Sequence, residues 1–423
     1  LAALPYLPAR AELHPSHLIR TLPPPMRCLC GALILAGASA LSPYKHFTID
    51  LDLPPRKRWK HVVRHYKDHV KRSADQSQQL FKQYDPDQLE ELYQATKLRE
   101  DYLEELKGIV AELDVDWVDL KFMVLRQMKY ELGVTQSFGC TGVVMALQNG
   151  TVLQGRNLDL GGDRQPVLDG LLDLTYIKNG RPLVRGIGHL GAIGLHNGYR
   201  VGGWTYQQNT KLDFMHSRDL WMKSAIAKAK TGAGVFQLEA RAALEEEATY
   251  QGALDRLRST KLMTPQYHII AGAGPYEGAV ITVDVGLTFE PSTYRYRSLS
   301  KTDWYLVQTN DDWGFLSIDK RRSTASDFIF WKGQELINLP AQKGVTAFEQ
   351  VMRLWPVCND YTIYTWYMSA ATGMDYVVDE LCTQKVGTFR RRQELTDKVV
   401  MPDSNVDLPD VTPLFSKMSN YVF

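Results

Sequence analysis

The spacing of apolar residues changes at Cys140, and that change limits the folds open to this chain. Before it, Leu89, Leu92 and Tyr93, then Leu103, Leu106 and Val110, recur at intervals of three and four, within Gln88 to Leu113, and a similar pattern fills Trp117 to Leu132. Such spacing lines one face of a helix, so residues 56–139 read as mostly helical. After it, β-rich runs follow one another: Thr141 to Leu147, a turn at Asn149-Gly150, and Thr151 to Leu160. Further strands are expected at 172–178, 182–188, 192–196, 200–207, 267–272, 279–285, 304–309, 361–369 and 374–379. Helical blocks at 217–230, 235–257 and 322–337 interrupt them. A helical front leading into a strand-rich body implies an α+β fold rather than a doubly wound parallel sheet.

With 423 residues, 44% hydrophobic and 23% charged, the chain fills one or two globular domains, and disorder is excluded as its main state. Forty-nine basic against 48 acidic side chains leave a net charge of +1, too weak a field for a general nucleic-acid binder, so no nucleic-acid partner is expected. No run approaches the roughly 18 to 20 apolar residues that span a bilayer. Residues 1–25, with Pro5, Pro8, Pro15 and Pro23 to Pro25, read as an unstructured flank. Met26-Arg27, the apolar run Cys28 to Ala40 and its close on Ala38-Ser39-Ala40 have the parts of a secretory signal peptide cut after Ala40; the alternative is a buried helix of a cytosolic protein.

If the signal is removed, Cys28 and Cys30 leave with it, and Cys140, Cys358 and Cys382 remain. The runs Tyr361 to Met368 and Met374 to Asp379 flank an expected turn at Ala370 to Gly373, midway between Cys358 and Cys382. Antiparallel pairing would bring those two thiols face to face; two buried free cysteines are the alternative. Asn149-Gly150-Thr151 is an N-glycosylation sequon at an expected hairpin tip.

Gly272, Gly274 and Gly278 do not cradle a phosphate, because a strand and not a helix follows them, and no cofactor is expected. His61, His65 and His69 share one helix stripe, but they lie among Arg56, Lys57, Arg58, Lys60, Arg64, Lys67, Lys71 and Arg72 with only Asp68 opposing, a setting that repels a metal ion. Such a basic face suits anionic lipid in an acidic lumen; an ordinary solvated face is the alternative.

Phe138-Gly139-Cys140-Thr141-Gly142 is the most informative stretch. A lone cysteine at a helix-to-strand junction, beside a glycine that leaves the preceding peptide accessible, can serve as a nucleophile. A turn centred on residues 149–150 pairs Cys140 with Asp159, delivering the Arg156 guanidinium and a carboxylate to the thiol, and a nearby arginine favours thiolate. His189, His196, His216 and His268 lack the flanking signature of a thiol-protease base. Cleavage of the Gly139–Cys140 bond would supply a base on the nucleophile's own residue, an α-amine with a pKa of about 7.7 to 8.0.

At this point the chain resembles a known family, acid ceramidase and N-acylethanolamine-hydrolysing acid amidase, both lysosomal N-terminal nucleophile hydrolases. The likeness runs over roughly residues 46–390. It is carried by Leu51 to Pro55 with Lys57-Arg58-Trp59, Arg64-His65-Tyr66, Cys140-Thr141, Gly155 to Asp159, Gln308-Thr309-Asn310, Asp319 with Arg321-Arg322-Ser323, and Thr362 to Thr365. The resemblance implies an αββα four-layer sandwich cut before Cys140, giving an α-subunit of 41–139 and a β-subunit of 140–423. It also implies that Cys140 is the nucleophile, that Arg156 orients it, and that Asp159 lies near the new amine. Asn310 would help hold the oxyanion, and Arg321 is the downstream arginine of the site.

Two departures stand out. The family's glutamate aligns near Gln207-Gln208, where this chain has amides followed by Asn209, and Asp311-Asp312-Trp313 replaces the usual tyrosine, implying different substrate contacts there. The expected substrate is a fatty-acyl amide lipid, with N-acylethanolamines ahead of ceramide and with Trp204 and Trp313 as candidate acyl-chain lining. Rival readings are a silent lipid-binding homologue and a bile-salt or penicillin amidase, which usually lacks the long helical front.

Overall fold

The computed structural model describes residues 42–132, 138–161, 163–211, 218–285, 293–312, 319–337 and 341–382. The flank over 1–25, the signal segment over 26–40, His216 and Trp313 lie outside them. The chain opens with strand β1 (Lys45–Asp50) and the helices α1 (Pro55–Arg58), α2 (Lys60–His65), α3 (Lys67–Phe81), α4 (Pro86–Ala95), α5 (Glu100–Leu113) and α6 (Leu120–Gln127). The hairpin β2 (Phe138–Ala146) and β3 (Val152–Leu160) leads through α7 (Arg164–Asp169) to β4 (Leu171–Lys178), β5 (Arg181–His189), β6 (Asn197–Arg200) and β7 (Trp204–Thr210). Then come α8 (Arg218–Lys230), α9 (Phe236–Glu246), α10 (Tyr250–Ser259), β8 (Gln266–Gly272), β9 (Gly278–Asp284), β10 (Thr293–Ser298) and β11 (Tyr305–Gln308). The last elements are α11 (Lys320–Ile337), α12 (Ala341–Arg353), β12 (Thr362–Ser369) and β13 (Met374–Val378).

Local chemistry sets several boundaries. The expected helix from Gln88 to Leu113 breaks between α4 and α5, where Thr96 turns extended. The expected block 235–257 breaks where the Thr249 side chain accepts the Gly252 N–H and starts α10 afresh. The expected strand 200–207 is instead the end of β6, a turn with Gly202 at φ 72°, and the start of β7. Residues 192–196 form no strand. The elements β1, β10, α7 and α12 are additions to those expected from periodicity.

The strands form an eight-stranded sheet in the order β1-β4-β5-β6-β7-β8-β9-β10 and a five-stranded sheet in the order β11-β2-β3-β12-β13. All neighbours are antiparallel except β1 with β4. The two-residue period of each strand sorts its side chains between two faces. On the large sheet, Leu174, Tyr176, Trp204, Tyr206 and Ile270 pack with the helical front and with α8 to α10, while Ile269, Ala271 and Val280 meet Val144, Ala146 and Val152 of the small sheet. The far face of the small sheet, Val143, Met145 and Leu153, is covered by Ala325, Ile329, Phe348 and Met352 of α11 and α12. These contacts build the four-layer αββα sandwich. Cys140, Leu158, Ile187 and Trp366 fill one end of the seam between the sheets.

The basic helices are better neutralised than their own sequence suggests. Besides Asp68, α5 presents Glu104 to Arg56, Glu105 to Arg58 at 2.9 Å and Glu112 to Arg64 at 2.6 Å. Burial pushes the titration of His61 down, opposite to the easy charging expected of this stripe. Among the described residues, no helix is long and apolar enough to cross a membrane.

Candidate active site

The site grows from the β2–β3 hairpin, whose register differs by one residue from the expected one. The loop is three residues long: Leu147 and Thr151 close it through a 2.8 Å bond, and Gly150, at φ 84°, makes the left-handed step that a longer side chain resists. A three-residue loop centres on Asn149 and pairs Cys140 with Leu158, Gly139 with Asp159 and Gly142 with Arg156. A one-residue slip exchanges faces. Cys140 therefore shares the inter-sheet face with Arg156, whereas Asp159 turns to the opposite face of the small sheet, toward α11.

Two arginines reconnect what the register separates. Arg156 is fully buried; its Nη2 lies 3.8 Å from Cys140 Sγ, and its Nη1 donates to the carbonyls of Gln208 on the large sheet at 2.7 Å and of His196, just before β6, at 3.2 Å. Arg321, in the first turn of α11, donates to Asp159 Oδ2 at 2.9 Å, Asn310 Oδ1 at 2.8 Å and Asp319 Oδ2 at 2.6 Å. Asn310 Oδ1 also accepts the Cys140 N–H at 2.9 Å, and its Nδ2 donates to the Thr210 carbonyl at 2.7 Å. Asn310 thus offers the Cys140 nitrogen an acceptor, while Asn209 Nδ2 approaches the Cys140 carbonyl at 3.4 Å. All five expected residues, Cys140, Arg156, Asp159, Asn310 and Arg321, belong to one bonded network.

Asp159 is clamped further by Thr362 Oγ1 at 2.7 Å and Asn359 Nδ2 at 3.2 Å. Sequence reasoning missed Asn209, Asn359 and Thr362. The signal for the first was a run of three side-chain amides, Gln207-Gln208-Asn209, within one strand. Gln207 Nε2 bonds Asn209 Oδ1 at 2.7 Å and so helps aim its amide.

Burial pushes the Cys140 thiol above its ordinary value; Arg156 and Arg321 pull it down, and Asp159 adds to the rise. Against the upward push of burial, Arg321 holds the Asp319 carboxyl below the usual range. Burial lowers His189 to about 4 and His196 well below its ordinary value, and neighbouring groups, Arg156 among them, add to both shifts, so both rings are neutral at mildly acidic pH. His268 lies on the helix-facing side of the large sheet, 2.9 Å from the Tyr206 hydroxyl.

The remaining expectations divide. Trp204 is corrected: it lies on the helix-facing side of β7, donates to the Glu247 carbonyl at 2.9 Å, and belongs to the sheet–helix core rather than to the seam that holds Cys140. Alternation along β7 decides this, since an even-numbered residue there faces the helices. Cys358 and Cys382 form a disulfide with Cα atoms 5.7 Å apart, and Cys140 is the buried free thiol among the described residues. Asn149 is exposed at the hairpin tip, its side chain accepting the Thr151 N–H at 3.0 Å.

The family model described as the beta subunit of N-acylethanolamine-hydrolyzing acid amidase matches residues 42–95, wholly before Cys140. The chain is 30% identical over 340 residues to the N-acylethanolamine-hydrolyzing acid amidase of Oryctolagus cuniculus, covering 78% of this chain and 88% of the relative. It is 29% identical over 378 residues to that of Mus musculus, covering 88% and 97%. With the acid ceramidase of Pan troglodytes it shares 26% over 360 residues, covering 80% and 86%. Among solved structures, an N-acylethanolamine-hydrolyzing acid amidase ortholog from Caenorhabditis elegans aligns at a TM-score of 0.47 and 26% identity, over 55% of this chain and 93% of that one.

Proposed function

This chain belongs to the N-acylethanolamine-hydrolysing acid amidase family, and from that premise we propose that it is a self-cleaving amidase whose nucleophile is Cys140. The observation that carries the reading is that the thiol lies beside Arg156 while the backbone nitrogen of the same residue is held by Asn310. In maturation, Cys140 Sγ bonds to the Gly139 carbonyl carbon, the C–N bond to Cys140 breaks, and the thiol proton passes to the departing nitrogen. Water then hydrolyses the thioester, leaving Gly139 with a carboxylate and Cys140 with a free thiol and an α-amine. Asn310 Oδ1 is placed to orient that amine as the proton carrier.

In turnover the thiol attacks a fatty-acyl amide, the amine protonates the leaving group, and water releases the fatty acid from the thioester. Higher identity to the amidases than to the ceramidase favours N-acylethanolamines, which would yield ethanolamine; ceramide, which would yield sphingosine, is the second reading. The signal-like segment and the Cys358–Cys382 disulfide support passage through the secretory pathway to an acidic lumen such as the lysosome. Exposed Lys57, Lys67, Lys71 and Arg72 are cations of this stretch that could contact an anionic membrane surface. The exposed Asn149 is a candidate glycan site.

Amino-terminal sequencing after incubation at acidic pH tests the reading. Two chains are expected, one beginning Cys140-Thr141-Gly142, together with fatty acid released faster from an N-acylethanolamine than from ceramide. Cys140→Ala should remain one folded chain without turnover; a variant that still matures would exclude this residue as the nucleophile.

A further inference from the structure

The room for a side chain at residue 139 is already occupied. A methyl group built on the Gly139 Cα would stand 2.6 Å from Arg321 Nη1, 3.2 Å from Asp159 Cβ and 3.3 Å from Asp159 Oδ2. The first distance is well inside van der Waals contact, so something would have to move. Arg321 is not free to swing aside: Asp159, Asn310 and both oxygens of Asp319 hold its guanidinium at 2.6 to 2.9 Å. A side chain at 139 would wedge between Arg321 and Asp159. It would also take from Asn310 Oδ1 one of its two donors, the other being the N–H of the bond to be cut.

We propose that Arg321 gauges the residue on the acyl side of the self-cleavage bond and favours glycine there. The inference rests on the maturation reading above and adds a specificity element to it. Gly139 is a positioning residue of maturation only, because once the C–N bond breaks it leaves the nucleophile and belongs to the carboxyl end of the other chain. Arg321 then keeps its partners with no side chain to accommodate.

The test uses the full-length chain with Gly139→Ala and Gly139→Val, following loss of the uncut form at acidic pH. Ala should mature about tenfold more slowly and Val more slowly still. The kcat/KM of the cut fraction, normalised to titrated thiol, should stay within about twofold of the parent. Maturation of Gly139→Ala at the parental rate overturns the proposal, and so does a cut fraction with impaired kcat/KM. A parent chain that is never cut at this bond would instead sink the maturation reading itself. Should Gly139→Ala fold poorly, it is compared with and without Arg321→Ala in an uncuttable Cys140→Ala background. Stability regained on removing Arg321 supports the gauge; an equal loss either way overturns it.

Discussion

Thr362 shows how much one hydroxyl can decide in this site. It is buried and donates to Asp159 Oδ1 at 2.7 Å, while Arg321 and Asn359 take the other oxygen. Valine has nearly the same shape and no donor, so Thr362→Val leaves Oδ1 buried without a partner. The expected cost is about 1 to 3 kcal/mol of stability. With Asp159 less well held, Arg321 and through it Asn310 lose definition, and kcat should fall with little change in KM. Thr362→Ser keeps the hydroxyl and should restore both the melting temperature and kcat; a serine variant as impaired as the valine one would show that shape, not the bond, matters. The family resemblance marks the stretch Thr362 to Thr365, but not the bond that Thr362 makes, because its partner lies 203 residues away. Cys140, Arg156 and Asp159 were legible because one hairpin carries all three. Asn310 and Arg321 were legible only through family resemblance.

At the scale of elements, the site depends on two strand ends from different sheets meeting across the seam. The Thr210 carbonyl at the end of β7 holds Asn310 just beyond β11. Their neighbours repeat the tie: Lys211 Nζ lies 2.5 Å from Asp312 Oδ2 and 3.1 Å from Asp284, and Tyr267 donates to Asp312 Oδ1 at 2.9 Å. Against the pull of burial, Lys211 keeps the Asp312 carboxyl below its ordinary range. Asp312→Asn retains a partner for Tyr267 but removes the nearer of the two charges that anchor Lys211. Because the pair is partly exposed, the stability loss should stay within about 1 kcal/mol. Asn310 should nevertheless be held less firmly, lowering kcat about tenfold more than it changes KM; an unchanged kcat would show that the ion pair has no part in positioning. Asp312 is also part of the run Asp311-Asp312-Trp313 that replaces the tyrosine the family resemblance implies after the asparagine, and the geometry gives that departure a use. The same scale explains the misplaced register. Asn-Gly signals a hairpin, yet whether the loop holds two or three residues depends on closure between Leu147 and Thr151, and that one residue decides which face Asp159 occupies.

For the whole molecule, the buried titratable groups set how the chain responds to acid. Burial lowers His268 to about 3 and His189 to about 4, with His196 also well below its ordinary value. The unfolded chain takes up these protons first, near pH 6.5, so the stability they contribute is present above that value and is lost as pH falls toward their folded values. Glu131 acts in the opposite sense. Burial raises it to about 7, so its contribution is fully present below about 4.5 and is lost as pH rises through 7. Each proton changes stability by about 1.4 kcal/mol per pH unit in its window. Three histidines against one glutamate leave a net loss, from these four groups, between about pH 6.5 and 4.5. His189 and His196 lie near Arg156, so His268, across the large sheet from the thiol, is the cleaner probe. In the Cys140→Ala chain, which the proposed maturation would leave whole, the melting temperature should fall over that range. His268→Asn, which still offers Tyr206 an acceptor, should flatten the slope by about one proton's worth. A slope that His268→Asn leaves unchanged would mean that this ring is charged, or accessible to water, in the folded chain.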